Sequence, residues 1–281
     1  MHKNASKKNI LQQLAKRITT LIEDAGGTWG ISLLDLDKKK SWELNEHKSF
    51  YSASVIKIPI MIATFAASER KKITLSSRLT LKREDIVGGS GILQHMTPGT
   101  EFTIYDLITL MIIQSDNTAT NMLIDLVGVQ AIGQAMKDTG LVVSKFYHKM
   151  MILEEDREGS NTITAHEMTS LLHKLATGKI ISVHASEQMI DILKKQQIRH
   201  SLPAKIPEQD ELVIGALKQW ELANKTGNVL GIRHDVGIFY VGQRTFIASI
   251  LTQGIEDLAS PEIIGKIGLE IYNYLMDNPN K

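Results

Sequence analysis

The spacing of apolar residues changes period twice along the chain, and it predicts strands near both ends with helices between them. Residues 10–22 carry apolar side chains at helical spacing among lysine-rich polar positions. Gly26-Gly27 follow, which predicts an amphipathic first helix that ends before the glycines. Residues 29–36 and 41–45 are short apolar or alternating runs on either side of a lysine-rich turn, a pattern typical of a β-hairpin.

The middle of the chain is predicted to be mostly helical, because its apolar residues recur three and four positions apart. The segments with this spacing are residues 54–70, 102–114, 117–127, 130–139, 165–176 and 184–195. Two turn-rich stretches, Gly88-Gly89-Ser90-Gly91 and Thr97-Pro98-Gly99, mark loops between them. Residues 141–164 form a longer irregular stretch that includes a charged run, and its length suits either a binding or catalytic role or a plain surface loop.

The last third of the chain returns to the extended pattern. Residues 221–226, 235–241 and 245–252 are rich in β-formers and are joined by glycine-containing turns, and residues 261–276 form a last helix. No internal repeat or linker separates the regions, so the predicted fold class is α/β (α+β) in a single domain. An antiparallel sheet would be covered by the terminal helices, in a lobe of about residues 5–52 and 215–281, with an inserted helical lobe of about residues 53–214.

Composition mainly excludes classes of function. Lys and Arg total 32 against 31 Asp and Glu, and this formal charge of +1 gives no electrostatic reason to expect nucleic acid or an anionic membrane as a partner. Cysteine is absent, which excludes disulfides, thiolate metal sites and a cysteine nucleophile. The longest uncharged apolar run, residues 58–67, is half the roughly 20 residues of a membrane helix, so a soluble chain is expected. A monomer is expected as well, although no feature of the sequence reveals the oligomeric state. The basic N-terminus lacks the apolar run of a signal peptide, which predicts a cytoplasmic chain as given, or a secreted or cell-surface protein if a leader has been removed.

Ser54 and Lys57 stand three residues apart at the start of a strongly apolar segment. This spacing puts both side chains on one face of a helical turn, with the serine near the unpaired N–H groups of that turn. Burial drives a lysine toward its neutral form, and a neutral amine can accept the proton of a serine hydroxyl. The pair therefore has the parts of an activated serine nucleophile. The same spacing recurs from Ser68 to Lys71 in a charged segment, where it is interpreted as a helix end.

Two further polar motifs follow this pair in chain order, Ser115-Asp116-Asn117 between two predicted helices and Lys225-Thr226-Gly227 on a predicted strand. The ordered set Ser-x-x-Lys, Ser-Asp-Asn and Lys-Thr-Gly resembles the signatures of class A β-lactamases and penicillin-binding proteins. Thr97-Pro98-Gly99 and residues 161–168 are also similar to segments of that family. The resemblance covers roughly residues 5–277 and implies the β-lactamase/transpeptidase-like fold.

The resemblance also implies a role for each motif residue. Ser54 would be the acylated nucleophile, Lys57 its general base and Ser115 the relay of a proton toward the leaving nitrogen. Asn117 would hold the amide of the substrate. The strand residues that would bind the substrate carboxylate are Lys225, Thr226 and Gly227. Backbone N–H groups of Ser54 and Asn228 would form the oxyanion hole.

The long loop departs from the family pattern at the position of the deacylating glutamate. Class A β-lactamases carry that residue in an E-x-x-L-N context, where it activates water, but the equivalent stretch of this chain, about residues 148–151, contains no acid. Glu154 or Glu155 would serve only if the loop folds differently, and Glu158 is a third candidate. The alternative for all three is a surface role.

The neck of the same loop differs as well. The arginine–aspartate pair of the family is absent, and Lys149 or His148 facing Asn161 would be a weaker substitute. These departures resemble small penicillin-binding proteins that share the class A fold, are acylated readily and hydrolyse β-lactams slowly.

Arg233 and His166 are the remaining polar candidates. Arg233 opens the strand after Lys225, near where a family arginine assists with the substrate carboxylate, and a surface arginine at a strand end is the alternative. His166 and Glu167 begin like a zinc-binding H-E-x-x-H motif, but Ser170 stands where the second histidine would be. No metal or other cofactor is therefore expected.

The sequence thus predicts a β-lactamase-related serine hydrolase that forms an acyl-enzyme on Ser54 with small-molecule β-lactams. Hydrolysis would be slow, because the glutamate context is missing. One alternative is a D-alanyl-D-alanine carboxypeptidase or penicillin-binding protein that acts on D-Ala-D-Ala-like peptides. The other is a non-catalytic protein that binds β-lactams or muropeptides.

Overall fold

The computed structural model describes residues 10–23, 25–151, 158–208, 218–255 and 260–277. The strands in these ranges are β1 (Thr28–Asp35), β2 (Lys40–Leu44), β3 (Phe50–Tyr51), β4 (Arg78–Thr80), β5 (Glu101–Thr103), β6 (Thr162–Ile163), β7 (Trp220–Val229), β8 (Ile232–Val241) and β9 (Arg244–Gln253). The helices are α1 (Ile10–Glu23), α2 (Lys57–Glu69), α3 (Ile104–Ile113), α4 (Asn117–Val127), α5 (Val129–Asp138), α6 (Ala165–Ala176), α7 (Val183–Lys194) and α8 (Ser260–Met276).

Strands from both ends of the chain form one antiparallel sheet in the order β2-β1-β9-β8-β7. The predicted hairpin is β1 and β2, in which Leu33 lies opposite Trp42. Strands β7, β8 and β9 form a meander, and β9 pairs with β1 in the centre of the sheet. Within the described residues β7 pairs with β8 alone, which makes β7 an edge strand.

Both faces of the sheet are buried, because apolar residues occupy alternate positions on both sides of its strands. In β9, Phe246 and Ile250 belong to the core that includes the terminal helices α1 and α8. Ile247 and Leu251, on the other face, belong to the core of the helical segments. Helix α6 covers this second face and places Thr169 against β1 and β9.

Helix α2 is the centre of the helical segments. Its residues from Lys57 to Phe65 are all buried, and it packs against α3, α4, α5 and α7. A helix that is apolar around its whole circumference is stable only in such a position. Pro59 is its third residue, where a missing N–H costs little because that N–H has no helical partner. This agrees with the burial that the sequence predicts for the segment after Ser54.

The elements confirm the predicted α/β (α+β) class, with shifts at their ends. The segment predicted as one helix from Ser54 begins instead as a 3₁₀ turn, Ala53–Ile56, that continues into α2. Strand β7 is longer than the predicted residues 221–226. The pairs β3–β6 and β4–β5 were not predicted, because two or three residues are too few to show a period. None of the described helices has the length and apolar character that crossing a membrane requires.

Candidate active site

Ser54 lies in the 3₁₀ turn between β3 and α2. Its neighbours Val55 and Ile56 are completely buried while Ser54 is half-buried, so apolar side chains anchor the turn and leave the serine at the edge of the core. Ala53 has a φ of +43°, a left-handed conformation that is uncommon for a residue with a Cβ atom. Strain of this kind costs about 1–3 kcal/mol and is concentrated at functional sites.

Strand β7 packs closely on this turn because Gly227 has no side chain. A Cβ atom at Gly227 would lie 3.1 Å from Val55 Cγ2, 3.2 Å from Ala53 Cβ and 3.3 Å from the Ser52 carbonyl oxygen. These separations are tighter than ordinary van der Waals contact. Gly227 therefore allows the edge strand to approach the turn that carries Ser54, and its role in binding substrate stays a prediction.

The segment just before Ser54 is held from both sides. His234 donates from Nε2 to the Tyr51 carbonyl at 2.8 Å, and its Nδ1 accepts the N–H of Thr252 at 3.1 Å. Burial lowers the pKa of His234 to about 4, so the ring is neutral and carries its proton on Nε2. Ser52 donates its N–H to the Asn161 carbonyl at 2.8 Å. These bonds fix the serine turn against both β8 and the end of the long loop.

The Lys57 amine is completely buried beside the Ser-Asp-Asn motif. Nζ donates to the Ser115 carbonyl at 2.7 Å, to the Ser115 hydroxyl at 3.1 Å and to Asn117 Oδ1 at 2.8 Å. Burial, followed by the charge of Lys225, lowers the pKa of Lys57 well below its ordinary value of 10.5, and Asp116 opposes this shift. A neutral amine, which is what a general base needs, is therefore accessible at Lys57.

Ser115 connects this amine with that of Lys225. The residue has a φ of +53° in the bend between α3 and α4, which turns its side chain between the two lysines. Ser115 Oγ lies 3.1 Å from Lys57 Nζ and 3.1 Å from Lys225 Nζ, and Lys225 also donates to the Thr226 carbonyl at 2.9 Å. Because both amines donate to the hydroxyl oxygen, its own proton can be donated to a third group.

Asp116 stabilises the bend between α3 and α4 that carries Ser115. Its carboxylate caps α4 by accepting the Ala119 N–H at 2.9 Å. It also accepts the N–H groups of Ile92 at 2.7 Å and Leu93 at 2.8 Å. A Cβ atom at Gly91 would lie 2.3 Å from this carboxylate, so the glycine-rich loop packs on the bend that holds Ser115.

Asp235 is a buried acid of the site that the sequence interpretation missed. It lies opposite Thr226 in the β7–β8 register and accepts hydrogen bonds from Asn224 Nδ2 at 2.9 Å and from the Leu202 N–H at 3.0 Å. Burial raises the pKa of Asp235 to about 7, and burial lowers the pKa of Lys225 to about 7 while the charge of Asp235 opposes that change. The available signal was an acid directly before the apolar run of residues 236–241 on a predicted strand.

Thr226, Asn228 and Arg233 lie on the opposite face of the edge strand from Lys225, since successive residues of a strand alternate sides. Arg233 is directly opposite Asn228 in the register. Its Nη1 donates to two carbonyls of the β7–β8 turn, both at 3.2 Å. The three side chains therefore share one face at the end of the strand pair, and their roles toward a substrate carboxylate stay predictions.

Met150 occupies the part of the long loop that faces α4. The side chain of Asn121 clamps its backbone, because Oδ1 accepts the Met150 N–H at 2.8 Å and Nδ2 donates to the Met150 carbonyl at 3.1 Å. Next to it, Met151 has a φ of +61°, is 60% exposed and lies near Gly89, beside Asn117. The stretch 148–151, which contains no acid, thus lies beside Asn117 and Asn121.

The three predicted acids of the loop have different outcomes. Glu154 and Glu155 lie outside the described residues. Glu158 is described, and its side chain is exposed.

The neck of the loop is closed by the side chain of Asn161, which bonds to the loop backbone. Asn161 Oδ1 accepts the N–H groups of Tyr147 at 2.7 Å and His148 at 3.3 Å, and Asn161 Nδ2 donates to the His148 carbonyl at 2.9 Å. His148 does face Asn161 as suggested, but through its backbone rather than its ring, whereas the Lys149 side chain does not. Lys149 Nζ turns away to Asp125 Oδ2, at 2.6 Å, because the amide of Asn161 already satisfies the loop backbone.

Glu167 holds the start of the long loop. Its buried carboxylate accepts the N–H groups of three consecutive residues, Val142 at 2.7 Å, Val143 at 2.8 Å and Ser144 at 2.7 Å. Burial alone would raise the pKa of Glu167, but the hydrogen bonds from this turn outweigh it and lower the pKa below its ordinary value of 4.5. Across the described parts of the chain no group of three or more His, Asp or Glu could hold a metal ion.

Replacing Glu167 with alanine is expected to destabilise the fold by about 3 kcal/mol, because three backbone donors lose a charged acceptor. The folded pKa of Glu167 is lowered, so its stabilisation is complete above the unfolded value near 4.5 and is lost as the pH falls through the folded value. Urea unfolding near neutral pH and in mild acid measures both effects. Glu187→Ala, at an exposed helix position, is the control and should change the unfolding free energy by less than about 0.5 kcal/mol. Equal stability of wild type and Glu167→Ala would contradict the assignment.

Comparisons with known proteins agree with this geometry. A model of the β-lactamase enzyme family matches residues 13–275. Among relatives, β-lactamase L2 of Stenotrophomonas maltophilia is 24% identical over 218 residues, which are 76% of this chain and 69% of that protein. A β-lactamase of Rhodobacter capsulatus is 23% identical over 231 residues, 81% of this chain and 75% of its own.

Solved structures give the same result at higher coverage. A β-lactamase from Sphaerobacter thermophilus superposes with a TM-score of 0.85 at 30% identity, over 95% of this chain and 98% of that one. PBP-A superposes with a TM-score of 0.82 at 27% identity, over 95% and 97%. A variant of PBP-A, solved as an acyl-enzyme complex with penicillin G, has a TM-score of 0.80 at 27% identity, over 95% and 98%. The matched family model and these superpositions confirm the resemblance seen in the three motifs, and the chain belongs to the β-lactamase enzyme family.

Proposed function

We propose that this protein is a serine hydrolase that opens β-lactams by forming an acyl-enzyme on Ser54. One observation carries the proposal. The amines of Lys57 and Lys225 both donate to the Ser115 hydroxyl, next to the turn that carries the half-buried Ser54. Ser54 Oγ attacks the lactam carbonyl, the carbon–nitrogen bond of the ring breaks, and the substrate stays attached as an ester.

Lys57 is proposed as the base that accepts the Ser54 proton. It follows Ser54 by three residues, which is one helical turn, and burial lowers its pKa, so the neutral form is easier to reach than in a free lysine. The neutral amine gives up one of the three hydrogen bonds of Nζ and gains the lone pair that accepts the proton. The Ser115 carbonyl and Asn117 Oδ1 fix the position of this amine. Precise placement of a base is worth as much as its basicity, because the proton must move along a short path.

Ser115 is proposed to deliver a proton to the ring nitrogen as the carbon–nitrogen bond breaks. Its oxygen accepts from both lysines, so the hydroxyl proton is directed away from them and toward the substrate. Lys57, once protonated, can replace the proton that Ser115 has given up. Atoms and charge then balance, since the proton of Ser54 ends on the nitrogen.

The edge strand is proposed to bind the substrate carboxylate. Lys225 supplies positive charge, and Thr226 and Arg233 supply donors on the other face of the strand end. Backbone N–H groups of Ser54 and Asn228 are proposed to form the oxyanion hole, where one donor is worth about 3 kcal/mol of transition-state stabilisation. The close packing allowed by Gly227 supports this arrangement, because it brings the strand and the serine turn together.

Incubation with benzylpenicillin followed by intact mass spectrometry tests the reaction. Because ring opening expels no fragment, we expect one adduct that carries the full mass of the penicillin. A wild-type protein that gains no such mass, at millimolar penicillin and with its fold intact by circular dichroism, would contradict the proposal.

Deacylation is proposed to be slow, on the evidence of the long loop. Asn121 holds the backbone of Met150 against α4, and residues 148–151 contain no acid. Glu158 is exposed, and we do not propose it as the base. The same mass measurement, repeated after free penicillin is removed, should show an adduct that persists for minutes or longer. Loss of the adduct within seconds would point to an efficient water-activating acid.

A D,D-carboxypeptidase is the second candidate. It is favoured by the position of Met150, a residue that is not an acid, beside the site, and by the similarity of the chain to PBP-A. It would use the same serine but transfer the acyl group of a D-Ala-D-Ala-like peptide and release D-alanine. Incubation with such a peptide and assay of free D-alanine separates the two functions. A protein that binds muropeptides or penicillin without forming any covalent adduct would instead be a binding protein.

A further inference from the structure

A cavity of about 330 Å³ lies between α2, α5, the end of α6 and the turn that joins α6 to α7. This volume is within the range of about 300–1,000 Å³ that small-molecule sites occupy. Arg70, at the C-terminal end of α2, lines it, whereas Lys57 begins the same helix about 20 Å away along the axis. The cavity is therefore separate from the proposed active site.

The inner walls of the cavity are apolar. Ile62 of α2, Ala135 of α5 and Ile180 after α6 line it, and all three are buried. Ala66 continues this surface one turn along α2. Apolar walls of this kind favour a ligand with a hydrocarbon part, since its burial removes apolar area from water.

The rim is positively charged. Arg70, Lys174 and Lys179 line it against a single carboxylate, that of Asp138. The Arg70–Asp138 pair is long, at 3.5 Å, and exposed, so it contributes little. Lys174 Nζ donates to the Thr139 carbonyl at 2.6 Å. Within the described ranges, neither Lys174 nor Lys179 forms an ion pair. Three cationic residues thus line the cavity against one carboxylate, which leaves an excess of positive charge there.

The mouth of the cavity is formed by a strained residue. Ile181 has a φ of +64°, and the Ser182 N–H donates to the Ile180 carbonyl at 2.7 Å across it, which makes a γ-turn of the rare positive-φ kind. For a β-branched residue this conformation is an outlier. The side chain of Ile181 is left 38% exposed beside the cavity. Such strain is typical of ligand-binding segments.

We propose that this cavity binds a small amphiphilic carboxylate. The hydrocarbon part would lie between Ile62, Ala135 and Ile180. The carboxylate would lie at the rim between Lys174 and Lys179. Ile181, held over the mouth by its γ-turn, would cover the chain of the ligand. This site does not depend on acylation of Ser54.

Calorimetric titration with octanoate tests the proposal, with acetate and octan-1-ol as probes of the head group and the chain alone. Octanoate is expected to bind, and each of the other two at least about tenfold more weakly, because each lacks one half of the recognised chemistry. Methyl NMR should place the largest shifts on Ile62, Ile180 and Ile181. Absence of octanoate binding at millimolar concentration, equal binding of octan-1-ol, or shifts elsewhere in the protein would overturn the proposal.

Lys179→Gln supplies the matched charge variant, since Lys179 is exposed and its loss should leave the fold intact. We expect octanoate affinity to fall by about fivefold or more, as a charge-assisted contact is removed. Lys137→Gln removes a positive charge from an exposed position of α5 that does not line the cavity, and it should bind as wild type. Equal affinity of Lys179→Gln and wild type would overturn the assignment of the head group. The rate of penicillin acylation should be the same in all three proteins.

Discussion

Replacing Ser54 with alanine is expected to abolish the penicilloyl adduct, with a fall in acylation rate of at least about 10³-fold. The variant keeps the turn, because Val55 and Ile56 anchor it in the core and alanine fits wherever serine does. It removes only the oxygen that would attack the lactam carbonyl. Intact mass spectrometry after incubation with benzylpenicillin measures the result, and thermal unfolding checks that the fold is unchanged.

Ser68→Ala is the matched control for this experiment. Ser68 precedes Lys71 with the same Ser-x-x-Lys spacing, but it lies in the last turn of α2, outside the site. The control is expected to form the adduct at the wild-type rate. An adduct that survives in Ser54→Ala, or one that disappears in Ser68→Ala, would show that another residue is the nucleophile.

Replacing Lys57 with methionine is expected to slow acylation by about 10²–10⁴-fold, the usual contribution of a positioned general base. Methionine fills a similar volume but cannot accept a proton. The pH dependence gives a second readout. An amine acts as a base only when neutral, and the folded pKa of Lys57 lies well below 10.5. Wild-type acylation should therefore rise with pH through that pKa and fall in acid, whereas the residual rate of the variant should lack this ionisation.

The control for this prediction is Lys71→Met, which removes an exposed lysine from the second Ser-x-x-Lys copy. It should acylate as wild type with an unchanged pH profile. Lys57→Met also leaves the Ser115 carbonyl without a donor, at a cost of about 1–3 kcal/mol, so its unfolding temperature must be measured alongside. A folded Lys57→Met protein that acylates at the wild-type rate would remove Lys57 from the mechanism.

The pair Lys225 and Asp235 explains how one site can hold two lysines. Both amines donate to Ser115 Oγ, and two positive charges at that separation oppose each other. Asp235 lies across the strand pair from Thr226 and stabilises charge on Lys225, while burial and Lys225 together disfavour charge on Lys57. Lys225 is therefore suited to bind an anion, and Lys57 is suited to accept a proton.

The order of helices and strands could largely be predicted from the sequence. Helix α6, for example, begins and ends where its apolar spacing does, and the β1–β2 hairpin surrounds its lysine-rich turn. The short pairs β3–β6 and β4–β5 were not readable, because their strands depend on contacts between distant segments. The 3₁₀ start of the Ser54 segment was also missed, since its backbone responds to close packing against Gly227.

The sequence by itself determined the three motifs, the residues in them and the absence of an acid at residues 148–151. It did not distinguish the Ser54 pair from the Ser68 pair by spacing, it did not connect Asp235 with the site, and it gave no sign of the cavity beside Ile181. These features depend on the tertiary structure. It brings together residues that are distant in sequence: Ser115 contacts Lys57 across 58 positions and Lys225 across 110 positions. Periodicity reports neighbours along the chain, whereas burial and the charges of distant residues set the pKa of an amine.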